Sequence, residues 1–195
     1  MGDCIERFCN TDVSGRELQK AVDLDFPNFA CEGEICSPFS PGPVSDDEIV
    51  AFILIDPLHY DTVRGVVVPD AFQELTNRDL SLLRVGHATK EEASMTRDEL
   101  VERGATRIPP QFRLVNEVCL ARAVALRTVR DTDRRLLAIY DTALDKVRSH
   151  ASAFTRADVL EDRRLRKVVR NRIHEVFTKH RITFDEFWSN LAAGN

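Results

Sequence analysis

At 195 residues the chain is long enough to bury a core of its own and short enough to form one domain, or one domain with an appended module. Its 43% hydrophobic and 30% charged residues are those of an ordinary globular chain. No run is apolar enough to cross a bilayer, and the first thirty or so residues lack the basic start and apolar block of a secretory signal or an Arg-rich transit peptide, so a cytoplasmic address and no membrane partner are expected.

The net charge of −5 conceals a division: residues 1–110 carry 10 Lys+Arg against 21 Asp+Glu, and residues 111–195 carry 17 against 11. Either the two halves complement each other within the molecule or each meets an oppositely charged partner, because summed charge steers association.

Helix starts are marked by Ser or Thr followed three residues later by Glu, a pairing that satisfies orphan amide donors at both positions. The pattern occurs at Ser14/Glu17, Ser45/Glu48, Thr89/Glu92, Thr96/Glu99 and Thr183/Glu186. Between Pro38 and Ser45 the run PFSPGPVS disfavours helix and strand and marks a linker. Beyond it, Glu48 to Ile55 reads as a short apolar helix or strand ended by Pro57, and Gly65 to Val68 with Leu80 to Val85 are the strand candidates. Pro69 and Gly86 beside these runs suit edge or terminal positions, which argues against a large sheet.

From Gln111 onward the spacing predicts helices: Val115, Val118, Arg122, Ala125, Leu126 and Val129 share one face, then Leu136, Tyr140, Ala143, Leu144 and Val147 another. The longest helix is expected from Thr155 to about His180 with Leu165, Val169, Ile173, Val176 and Phe177 buried, and a short terminal helix at Thr183 to Leu191 packs Phe184, Phe187 and Trp188. The expected fold is α+β and mostly helical, with one small β-hairpin or sheet and a helical, basic C-terminal half. It divides into a Cys-containing N-terminal segment and linker (1–44), a small α+β core (45–110) and a helical basic region packed on that core (111–195), together one compact unit.

Four of the five cysteines fall early, as Cys4-x4-Cys9 and Cys31-x4-Cys36. Two close thiolate pairs have the composition of a closed, structural zinc site, with Cys4, Cys9, Cys31 and Cys36 as the four ligands. The competing reading is reduced, unliganded thiols, since cytosolic chains rarely hold disulfides. Cys119, alone on an apolar face, reads as core.

His59 follows an apolar run in Asp56-Pro57-Leu58-His59-Tyr60-Asp61. A histidine there suits general acid/base work, oriented by Asp61 or Asp56, with Arg64 and Arg84 as an anion-binding corner and His150 assisting. The alternative is a turn histidine bonded to local backbone. Arg163, Arg166, Lys167 and Arg170 form a basic stripe that would attract phosphates, or else a solvated face. Isolated glycines exclude a Walker loop and a GxGxxG fingerprint, and no GxSxG elbow or HExxH pair is present.

The layout DDEIVAFI, His59, Val68-Pro69-x-Ala71-Phe72, Leu80-Ser81-x-x-Arg84, Tyr140-Asp141-Thr142-Ala143-Leu144 and His150-Ala151 resembles a loosely defined group of uncharacterised bacterial proteins with no assigned activity. The resemblance covers about the middle half of the chain. It implies a prokaryotic cytosolic protein encoded with other components of a multi-gene system, of the antiviral defence type, and a convergence of His59, Arg84 and His150. The basic helix after Thr155 and the N-terminal cysteines lie outside it. The first function expected is a non-enzymatic accessory or adaptor protein that binds a protein partner of its own system. The second is an enzyme acting on a nucleotide or nucleic acid through His59 and Arg84, and the third a nucleic-acid-binding module using the basic helix 156–181.

Overall fold

The computed structural model describes residues 4–9 and 14–191. Helices α1 (Cys4–Cys9) and α2 (Gly15–Asp25) and a 3-10 segment (Pro27–Gly33) precede strand β1 (Ile49–Asp56). A small hairpin, β2 (Tyr60–Asp61) and β3 (Val66–Val67), a second 3-10 segment (Pro69–Thr76), β4 (Leu80–Arg84) and α3 (Lys90–Ala105) follow. Next come β5 (Leu114–Arg122), α4 (Ala123–Arg127) and a second hairpin, β6 (Arg130–Asp131) with β7 (Arg134–Arg135). The chain continues through β8 (Leu137–Asp141), β9 (His150–Thr155), α5 (Ala157–Glu161), α6 (Arg163–Phe177), β10 (Arg181–Thr183) and α7 (Phe184–Asn190).

The centre is a six-stranded sheet in the order β10-β5-β1-β4-β9-β8, antiparallel at every pairing. This overturns the mostly helical reading: the fold is mixed α+β, with 43% helix and 22% strand. The error arose in residues 111–155. Strand β8 is buried at all five positions and β9 at five of six, so neither shows the polar/apolar alternation of a half-exposed strand, and continuous apolar runs mimic a helix face. Strands β1 and β4, from residues 45–110, lie side by side in the middle of one sheet, flanked by β5 and β10 on one side and β9 and β8 on the other, all from the C-terminal stretch.

Both sheet faces are covered. On one, Val50, Phe52, Leu54, Leu80 and Leu82 pack under Phe72 and Leu75 of the second 3-10 segment and Leu165, Val169, Ile173 and Phe177 of α6. The expected long helix is in fact two, because Asp162 ends α5 and caps α6 by accepting from the Arg164 and Leu165 amides. On the other face, Ala51, Ile53, Leu83 and Val118 meet Ala93 of α3 and Phe184 and Phe187 of α7.

Of the five capping pairs, Thr89/Glu92 closes a full box at the start of α3 and Thr183 accepts from the Glu186 amide at α7. Ser14 precedes α2 without a side-chain bond. Ser45 and Glu48 close a turn instead, with the Ser45 amide donating to Glu48 Oε1 at 2.8 Å just before β1, and Thr96 lies inside α3. Edge strand β8 is shielded by the N-terminal segment: Glu32 Oε1 accepts from the Ile139 amide at 2.8 Å, which occupies a donor an open edge would offer to another chain.

The charge division is met inside the molecule. Arg127 pairs with Glu32 at 2.9 Å and Asp46 at 2.7 Å, and Arg170 with Asp70 at 2.7 Å.

Candidate functional site

Strands β1 and β4 pair only at Val50–Arg84 and Ala51–Leu83, although β1 continues to Asp56 and β4 begins at Leu80. Two residues further along that register Ile53 would meet Ser81. The strands part there instead, and a cleft of about 220 Å³ occupies the gap. Its walls are Ile53, Leu83 and Val147, Leu100 of α3, and Phe52, which reaches in from the other face through the split. Ser81, Thr96, His59, His150 and five charged side chains also line it.

His59 is placed by the strand it follows. Its Nδ1 accepts from the Ile55 amide at 3.0 Å, and its own amide donates to the Ile55 carbonyl at 2.8 Å, so the residue caps the edge that β4 leaves. With Nδ1 accepting, the proton of the neutral ring sits on Nε2. The ring stacks on Phe52 at 5.3 Å, and burial holds its pKa down at about 4, so His59 is an uncharged hydrogen-bond donor at neutral pH.

His150, on β9, takes the opposite tautomer. Thr142 Oγ1 donates to Ser152 Oγ at 2.9 Å, and Ser152 Oγ donates to Asp79 Oδ2 at 2.6 Å. With those hydroxyl protons committed, the contacts of His150 Nδ1 with the Thr142 carbonyl and hydroxyl, both 3.0 Å, require the proton on Nδ1, which leaves Nε2 as a free acceptor. Burial lowers this pKa as well. The cleft therefore holds one neutral imidazole donor and one neutral imidazole acceptor.

The charges around them are compensated locally. Glu74 pairs with Arg78 at 2.7 Å, Glu99 with Arg103 one turn along α3, and Asp79 receives Ser152.

The other expected site residues lie elsewhere. Arg84 is buried toward the opposite end of β1, bonded to both Glu48 oxygens at 2.7 and 2.8 Å, to Asp141 at 3.3 Å and to the Gly42 and Pro43 carbonyls. It joins the linker and the turn before β1 to β8 and does not line the cleft, where His59 and His150 are found without it. Arg64 is 77% exposed beside Asp61. Within the basic stripe, Arg166 donates to the Leu160 carbonyl and Arg170 to Asp70, while Arg163 and Lys167 are exposed.

The four early cysteines do not form one quartet. Cys4 and Cys31 are joined in a disulfide with Cα atoms 5.9 Å apart, which departs from the reduced thiols expected of a cytosolic chain. Cys9 is exposed, and Cys36 and Cys119 are buried. Among the described residues no group of three or more His, Cys, Asp or Glu side chains is arranged to hold a metal. No described helix is long and apolar enough to cross a membrane.

No family model, curated protein or solved structure matches the chain.

The Thr142–Ser152–Asp79 chain and the α3 contribution escaped the sequence reading. The signal for the first was present: read as a strand, HASAFT places His150 and Ser152 on one face. The split between β1 and β4, which makes the cleft, has no local sequence signature.

Proposed function

We propose that the protein binds a small uncharged molecule in the split-sheet cleft and acts on it by proton transfer, with His150 Nε2 as base and His59 Nε2–H as a neutral hydrogen-bond donor to the oxygen on which charge develops. The observation that carries this reading is the pair of neutral histidines held in opposite tautomers on one cleft. Acid/base groups work best when correctly protonated near the operating pH and within reach of one bound molecule. Apolar walls with one donor and one acceptor suit a compact ligand bearing both functions, such as an amide or a hydroxy-carbonyl compound. The phosphate-directed version has less support, because Arg84 lies outside the cleft and Arg78 and Arg103 are each engaged by a carboxylate.

A thermal-shift screen of uncharged, metabolite-sized molecules tests it. A ligand present at a hundred times its Kd stabilises the folded state by about 2.7 kcal/mol. Compounds that raise the melting temperature of the wild type but not of His59→Gln or His150→Gln support the reading. Hits that stabilise both variants as well as the wild type refute it, as does a screen in which no such compound shifts the wild type.

A second reading, an accessory protein that binds a partner from its own multi-gene system, is supported by Ile108 and Phe112. They are 100% and 76% exposed in the loop between α3 and β5, and such side chains are usually buried at interfaces. Co-elution with a neighbouring gene product that is abolished by Ile108→Ser with Phe112→Ser supports it; failure to bind any of them at low salt refutes it. On location, the Cys4–Cys31 disulfide weighs toward an oxidising compartment and against the cytoplasmic address that the sequence suggests.

A further inference from the structure

The N-terminal cysteines are two copies of one spacing. Cys4 is bonded to Cys31 across a separation of 27 residues, and five positions on from each stand Cys9 and Cys36, at the same separation. Phe8, next to Cys9, packs on Tyr140 at 5.0 Å and Phe154 at 5.5 Å. Cys31, Cys36, Tyr140 and Phe154 belong to one apolar cluster, and Cys4 and Phe8 pack against it. The C-terminal end of α1 thus lies over the cluster in which Cys36 is buried.

We propose that Cys9 and Cys36 form a second disulfide, made by exchange with a small-molecule disulfide such as oxidised glutathione. The two thiols differ in access, which sets the order of the exchange. Cys9 is exposed and open to an external disulfide. Cys36 is 1% exposed, and its thiol contacts the Cys31 and Glu34 carbonyls at 3.4 and 3.6 Å. Burial first, then the nearby charges of Asp141, Glu34 and Cys9, push the Cys36 thiol up to about 12, which suppresses direct reaction with a reagent in solution.

In the first step Cys9 loses its proton and its sulfur attacks the glutathione disulfide. A Cys9–glutathione bond forms and one glutathione thiol leaves. In the second, Cys36 gives up its proton and attacks Cys9 Sγ, the Cys9–Cys36 bond forms, and the second glutathione departs as its thiol. Two protein thiols are oxidised and one glutathione disulfide is reduced to two thiols. The product would fasten α1 twice to the segment that carries Glu32, the residue capping edge strand β8.

The test treats the full chain with excess oxidised glutathione, alkylates it in denaturant and maps the peptides. Trypsin cuts at Arg7, between Cys4 and Cys9, and a Glu-specific protease cuts at Glu32 and Glu34, between Cys31 and Cys36. The expected result is a Cys9–Cys36 cross-linked peptide, with the three free thiols reduced to Cys119 alone. Cys36→Ser should trap a lasting glutathione adduct on Cys9, and Cys9→Ser should leave Cys36 fully alkylated. Glutathione persisting on Cys9 in the wild type overturns the proposal. So does full alkylation of both thiols, or Cys36 recovered in linkage to Cys4 or Cys31. The wild-type map decides the matter even where a serine variant folds poorly.

Discussion

Replacing Arg84 by Met would keep most of its apolar stem and strand two carboxylates. Glu48 and Asp141 both bond its guanidinium, and their side chains are 18% and 0% exposed. Removing one partner of a buried ionic cluster leaves charge without compensation and typically costs about 3 to 5 kcal/mol. We expect Arg84→Met to lower the urea midpoint by an equivalent amount at pH 7.5, and by less at pH 5. Burial already pushes the Asp141 pKa up to about 6 against the pull of Arg84, so in the variant this carboxyl would take a proton and shed part of the penalty on acidification. A loss below about 1 kcal/mol at pH 7.5 would mean that the cluster contributes little. The sequence showed an arginine at a strand end and suggested an anion anchor. It gave no sign that the anions were Glu48 and Asp141, 36 and 57 residues away, because such pairings depend on strand order. His59 was more readable: its position after an apolar run and a proline brought it to a cleft, and its local bonds to Ile55 are those of the turn histidine that was the competing expectation.

At the scale of elements, α3 and the loop that leads into β5 approach so closely that the contact depends on a glycine. A Cβ on Gly104 would lie 2.6 Å from the Gln111 carbonyl oxygen and 2.5 Å from Arg113 Cδ. The same turn is held by the Gln111 amide donating to the Gly104 carbonyl at 2.9 Å. Alanine is favoured over glycine inside a helix by about 1 kcal/mol, whereas forcing a methyl into a packed contact costs about 1 to 3 kcal/mol. One of the two atoms met is backbone, which cannot swing aside, so the steric term should win. Gly104→Ala is expected to destabilise by about 1 to 2 kcal/mol in chemical denaturation; a stabilised variant would show that the loop after α3 yields freely. Elements of this kind were legible wherever local chemistry defines them: the Thr89/Glu92 box starts α3, the Leu165, Val169, Ile173 and Phe177 stripe marks α6, and Thr183 starts α7. Strands β5, β8 and β9 were not, because layers on both faces erase the alternation that distinguishes a strand from a helix face.

For the whole molecule, the buried titratable groups set opposing trends of stability with pH. His59 is held at about 4 in the fold against about 6.5 in an unfolded chain. Between those values the unfolded state binds more protons, so stability rises with pH, by about 3 kcal/mol for this shift at about 1.4 kcal/mol per unit. His150, also lowered by burial, adds a trend of the same sign. Asp141 works the other way: burial raises its pKa from 3.8 to about 6, the folded state binds the extra proton, and stability falls by a similar amount, about 3 kcal/mol, as pH climbs through that window. The first and last contributions nearly cancel, which leaves the wild type with the rise carried by His150 and by Glu48, whose pKa the Arg84 pairing lowers despite burial. Asp141→Asn should uncover the histidine trend, so that its stability climbs by about 3 kcal/mol more than the wild type between pH 4 and pH 6.5. His59→Gln should flatten the curve or turn it downward over the same range. Urea unfolding of all three proteins at half-unit pH steps measures this directly. Comparing slopes rather than absolute stabilities removes the constant cost that each substitution adds. Three parallel curves would show that neither buried group changes its proton affinity on folding, and the assignment of His59 as a neutral donor in the cleft would then lose its electrostatic basis.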